Sequence, residues 1–96
     1  MDNKIKKEIY TEVLERLIEH LKKRNDVQNI DLMNLSGFCR NCLSKWYLSA
    51  AEKRNIKITY DEAREKIYGM PYSVWKKKYQ LEATKKQQEK FKKNSD

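Results

Sequence analysis

From Ile5 to Leu21 the apolar residues recur at three- and four-residue steps: Ile5, Ile9, Tyr10, Val13, Leu14, Leu17, Ile18 and Leu21. At about 100° per residue these positions form one stripe, which predicts an amphipathic helix over residues 3–23. Asp2 or Asn3 can cap its start, and Lys22, Lys23 and Arg24 place positive charge where the helix dipole favours it. Asn25-Asp26 marks the break. A second periodic run comprises Leu32, Leu35, Phe38, Cys39, Cys42, Leu43, Trp46, Tyr47 and Ala50. It predicts a long central helix over residues 31–54 with Asp31 as its N-cap. The opposite face carries Gly37, Asn41, Ser44 and Leu48, and small residues at that spacing let another helix approach closely. The central helix is therefore expected to be contacted on two sides.

Further elements follow from local signals. Thr59 with Glu62 reads as a capping box, and the short helix after it should stop at Tyr68, with Gly69 closing it. Pro71 suits the first turn of a helix running to Tyr79. Thr84 with Gln87 is a second capping box before a short polar helix. The pattern predicts an all-α protein: a small bundle of four to five helices around a long central helix. It forms a single domain over residues 1–96, with a tail that frays from about residue 90. Only 2 Gly and 1 Pro interrupt 96 residues, and no stretch alternates as a strand would.

Composition adds a shortage of apolar material. Hydrophobic residues make up 39% and charged residues 38%. A chain this short buries a thin core, and pairing with a second copy is one remedy, so a homodimer is expected. No apolar run approaches the ~18 residues of a membrane span, and the charged start leading into an amphipathic helix is unlike a signal peptide. Without an export signal, and with 2 Cys, no disulfide framework is expected and the reading is cytoplasmic.

The net charge of +8 is uneven, with 8 Lys and only 2 Glu within residues 74–93. Trp75, Lys76, Lys77 and Lys78, with Lys85 and Lys86 further on, mix an aromatic with positive charge, as single-stranded nucleic-acid sites do. The competing reading is a core-anchoring helix, because Tyr72, Trp75 and Tyr79 follow helical spacing. Lys outnumbers Arg by 17 to 5, whereas base-reading contacts favour Arg. A lysine-rich surface is also what an A+T-rich genome leaves.

Cys39 and Cys42 form a C-x-x-C, for which three readings stand. Both thiols can pack as small hydrophobes on the apolar face. They can ligate a metal, zinc or iron, either by joining the pair of a second chain or by recruiting His20. They can act as a redox pair, which requires a helix N-terminus to activate the thiol and so requires the helix to begin near Ser36. Catalytic signatures are missing: there is no G-x-S-x-G, P-loop, G-x-G-x-x-G or H-E-x-x-H, and the reading leans away from an enzyme.

The stretch Gly37-Phe38-Cys39-Arg40-Asn41-Cys42-Leu43-Ser44-Lys45-Trp46-Tyr47 is distinctive. With Tyr60-Asp61-Glu62-Ala63-Arg64 and Tyr68-Gly69-Met70-Pro71-Tyr72, it resembles a family of short, mostly proteobacterial proteins catalogued only as a domain of unknown function. The resemblance covers roughly residues 26–88. It implies a small helical protein and assigns no role to either cysteine. The reading is a homodimeric binding or adaptor protein with an unidentified protein partner and thiolate-ligated metal at the C-x-x-C. The alternative is a basic nucleic-acid-binding accessory protein, and a thiol redox protein stands third.

Overall fold

The computed structural model describes residues 1–94, and it is helical. Six helices follow in order: α1 (Asn3–Lys22), α2 (Asn29–Ser36), α3 (Arg40–Lys53), α4 (Tyr60–Tyr68), α5 (Tyr72–Tyr79) and α6 (Lys85–Asn94). The count exceeds the four to five expected, chiefly because the long central helix is two helices. Gly37 adopts φ 79° and closes α2, with its N–H donating to the carbonyl of Met33. Cys39 then takes extended angles and becomes the N-cap of α3. A left-handed residue costs an L side chain about 1–2 kcal/mol, so a glycine at this point is a stop signal. Its spacing from Asn41 and Ser44 had suggested a groove instead. Asp31 is not the cap of α2: Gln28 holds that position and Asp31 lies in the first turn.

Both capping boxes form. Thr59 Oγ1 accepts from the N–H of Glu62, whose carboxylate accepts from the N–H of Thr59, both at 3.1 Å. Thr84 and Gln87 make the same pair of bonds at 3.1 and 2.8 Å. Gly69, at φ 75°, ends α4, and Pro71 is the N-cap of α5. Helix α6 runs to Asn94, and the last two residues of the expected frayed tail, Ser95 and Asp96, lie outside the described residues.

The core is small and sits where α3, α4 and α5 meet the end of α1. Leu21, Leu43, Ile67, Tyr68 and Trp75 form it, with Ile18, Leu32, Phe38, Met70, Tyr72 and Tyr79 packed around. Helix α3 packs most extensively against α4, and α6 lies on α2. The buried face of α3 carries Arg40, Leu43 and Ser44, whereas Trp46 and Tyr47 of the expected apolar stripe face solvent.

Helix α1 is the exception to burial. Its stripe of Ile5, Ile9, Tyr10, Val13, Leu14 and Leu17 is 37–64% exposed, and only Leu21 of the helix is buried. A 20-residue helix spans about 30 Å. Only its last turns are anchored in the core, by Ile18 and Leu21.

Candidate functional site

The region around the N-terminus of α3 joins every other element except α6. Arg40, the first residue of α3, is almost completely buried. Its Nη1 donates to the carbonyl of Val27 at 2.8 Å and to Asn29 Oδ1 at 3.0 Å. Its Nη2 donates to the carbonyls of Arg24 at 2.7 Å and Leu21 at 3.5 Å. The guanidinium lies 5.1 Å from the centre of the Trp75 ring. The Leu21 and Arg24 carbonyls already accept main-chain N–H bonds, and the guanidinium on α3 adds a second donor to each. None of these partners is a carboxylate, and burial lowers the Arg40 pKa. Dipoles, rather than an opposite charge, compensate the guanidinium.

The polar contacts continue outward. Tyr68 on α4 donates its hydroxyl to Asn41 Oδ1 at 2.7 Å and accepts from Asn29 Nδ2 at 3.0 Å. Burial pushes this phenol well above the ordinary tyrosine range. Trp75 donates its indole N–H to Asn25 Oδ1 at 2.9 Å. Gln28 holds the link between α5 and α6, donating to the carbonyl of Tyr79 at 2.8 Å and accepting from the N–H of Leu81 at 2.9 Å. Beside these groups opens a cleft of about 440 Å³, lined by Asn29, Asn41, Tyr72, Gln80 and Glu82 among others.

Cys39 and Cys42 flank Arg40 and Asn41 in the first turn of α3. Both are free thiols; Cys39 is 6% exposed and Cys42 is half-buried. Burial pushes the Cys39 thiol up, while the backbone N–H groups of Cys42 and Asn41 act in the opposite sense. The Cys42 thiol lies 3.8 Å from Met33 Sδ. His20 does not face this turn. It is exposed on α1, in an open depression with Glu12, Glu15, Arg16, Glu19 and Lys23. Among the described residues no three of His, Cys, Asp and Glu gather to hold a metal ion, so one chain does not bring Cys39, Cys42 and His20 together.

The residues singled out for nucleic acid also separate. Trp75 is fully buried among Tyr68, Tyr72 and Tyr79, so it has no face left for a base. Lys76, Lys77 and Lys78 on α5, and Lys85 and Lys86 on α6, are exposed. Tyr72 is half-buried under Arg64, whose guanidinium lies 4.0 Å from its ring and 4.4 Å from that of Tyr60.

The residues that sequence reasoning left without a role are the polar interior ones: Asn25, Gln28, Asn29, Arg40 and Asn41. The available signal was one charged residue and four carboxamides close to apolar runs, since buried polar groups come with partners.

No helix among the described residues is long and apolar enough to cross a membrane. No curated protein matches the chain. A family model matches residues 27–93, a span that takes in α2 to α5, most of α6 and Arg40 with its partners Val27 and Asn29. The chain belongs to the DUF1244 family, whose members are described as proteins of unknown function.

Proposed function

We propose that this protein is a non-enzymatic binding module that works as a homodimer, paired through α1. One observation carries the reading: the apolar stripe from Ile5 to Leu17 is exposed along most of a 20-residue helix. Contiguous exposed apolar surface of this kind marks an interaction site. The dimer was expected from two contact faces on a central helix, but α1 offers the better surface.

The ridge pattern of α1 and a few of its charges suit a second copy as the occupant. The first ten residues of α1 carry Lys4, Lys6 and Lys7 with Glu8 and Glu12, and the last ten carry Glu15 and Glu19 with Arg16 and Lys22. In an antiparallel pair centred near Thr11, Lys4 comes near Glu19 of the second copy and Lys7 near its Glu15, while Lys6 comes near its Arg16. A parallel pair would set like against like. Ile5, Ile9, Val13 and Leu17 form one four-residue ridge and Tyr10, Leu14 and Ile18 another. Ridges of that kind interdigitate when two helices cross at about −50°. Pairing of α1 leaves the cleft beside Asn29 and Asn41 open for the adaptor's other partner.

The test is light scattering across a concentration series, on the wild type and on Ile9→Glu with Val13→Glu. The expected result is a wild-type dimer and a folded, monomeric variant. A wild type that stays monomeric at every concentration overturns the reading.

A further inference from the structure

The two cysteines occupy a particular pair of positions. Within a regular helix, side chains three apart have Cβ atoms about 5–6 Å from each other. A disulfide needs roughly 3.5–4.5 Å. A C-x-x-C inside the long central helix expected from periodicity would therefore hold two thiols apart. The structure breaks that helix at Gly37 and makes Cys39 the N-cap of α3, with φ −146° and ψ −174°. Cys42 is then the third residue of the helix. These are the two positions of a capping box, in which the N-cap side chain turns back over the first turn and the third side chain reaches toward the N-cap. The same chain shows the geometry twice with oxygen, at Thr59 with Glu62 and Thr84 with Gln87. At α3 a cysteine stands at each of these two positions, without the side-chain cap hydrogen bonds that the oxygens make.

We propose that Cys39 and Cys42 form a thiol–disulfide exchange site, closing to an intrachain disulfide by reaction with a low-molecular-weight disulfide of the glutathione type. The site is independent of α1 and of the homodimer. Four observations support it. The two cysteines stand at the N-cap and the third position of one helix, with the N-cap backbone extended. Cys42 lies close enough to Cys39 to disfavour ionisation of the Cys39 thiol, in addition to the larger effect of burial. Their exposure is unequal, giving an accessible Cys42 and a covered Cys39. No His, Asp, Glu or third Cys joins them among the described residues.

The unequal exposure orders the steps. The Cys42 thiol gives its proton to solvent, and its sulfur attacks one sulfur of the small disulfide. A Cys42 mixed disulfide forms, and one small thiolate leaves and takes up a proton. Cys39 then loses its proton and attacks Cys42 Sγ, forming the Cys39–Cys42 bond and expelling the second small thiolate. Two protein thiols are oxidised by two electrons, and one small disulfide is reduced to two thiols. Burial disfavours the Cys39 thiolate, which suits it to the second, intramolecular step, where proximity compensates for a low thiolate fraction. The same burial makes Cys39 a poor leaving group, so the disulfide, once closed, reopens slowly.

The test incubates reduced, folded protein with defined ratios of oxidised to reduced glutathione. The mixture is quenched with acid, and intact mass is measured alongside circular dichroism. The expected product is a single chain lighter by two hydrogens, with its helical signal unchanged. Cys39→Ser should instead accumulate a glutathione adduct on Cys42, and Cys42→Ser should react far more slowly. A wild type that keeps both hydrogens in oxidised glutathione overturns the proposal. So does a disulfide that only links two chains, or an adduct that forms faster at Cys39. The wild-type mass alone decides the matter if either variant fails to fold.

Discussion

At the scale of single residues, Arg40 and Tyr68 hold the most in place. Arg40 satisfies three main-chain carbonyls and one carboxamide from a position with almost no exposure. Arg40→Met would take the guanidinium donor from Val27 and Asn29, and a second donor from Leu21 and Arg24, whose carbonyls keep their main-chain N–H bonds, at about 1–3 kcal/mol for each buried group left unpaired. The expected loss is about 3 kcal/mol, read from urea denaturation. Arg40→Lys should recover little of it, because a compact ammonium cannot reproduce the guanidinium fork. Tyr68 gives a pH dependence. Its folded pKa is raised above the ordinary 10.0 because burial disfavours the phenolate. Above about pH 10 the unfolded chain releases this proton while the folded one keeps it, so stability is intact below that pH and falls as pH rises beyond it. Tyr68→Phe should flatten the alkaline decline relative to wild type, while lowering stability at neutral pH by stranding Asn29 and Asn41. Thermal melts between pH 8 and pH 11 (roughly the span over which tyrosine begins to ionise) separate the two effects.

Among the elements, the joint between α5 and α6 depends on one side chain. Gln28 both donates to the carbonyl of Tyr79 and accepts from the N–H of Leu81. It does for this linker what a neighbouring strand would do. Gln28→Ala should cost about 1–3 kcal/mol, with hydrogen exchange speeding up most across residues 80–94. Uniform acceleration over the whole chain would mean that the clamp is not local.

Element by element, what could be read in the sequence follows from how far each signal reaches. Thr59, Gly69, Pro71 and Thr84 act through their immediate neighbours, so their roles were legible without a fold. The amphipathic stripe of α1 was legible too, but periodicity names an apolar face without saying what covers it. The break at Gly37 was hidden because the apolar steps from Leu35 through Phe38 and Cys39 to Leu43 run across it at helical spacing. Only the left-handed angle of Gly37 resets the phase. The Arg40 network was illegible for another reason: its partners lie 11 to 19 residues away on α1, its following loop and α2, and a single sequence does not show which distant carbonyls meet a guanidinium.

The whole molecule measures 48 × 28 × 27 Å, elongated for a chain of this length. Its family portion starts at Val27, so α1 precedes the shared region. Deleting residues 1–13 removes most of the exposed stripe while keeping Ile18, Leu21 and the carbonyls that Arg40 holds. The truncated chain should fold, remain monomeric, and melt at a temperature independent of its concentration. The full chain should melt at higher temperature as concentration rises. A truncated chain that no longer folds would show that the first turns of α1 support their own core.

The Arg40 staple has a consequence for ionic strength. The surface ion pairs Lys22–Glu19, Arg24–Asp26 and Arg64–Asp61 sit in or against solvent, where added salt screens them within about 10 Å at 0.1 M. Arg40 binds neutral carbonyl oxygens in a region that mobile ions do not enter. The join between α1 and α3 should therefore outlast screening. Moderate salt would blur the charges that set the direction of α1 pairing, yet leave the helix itself fixed to the body of the protein.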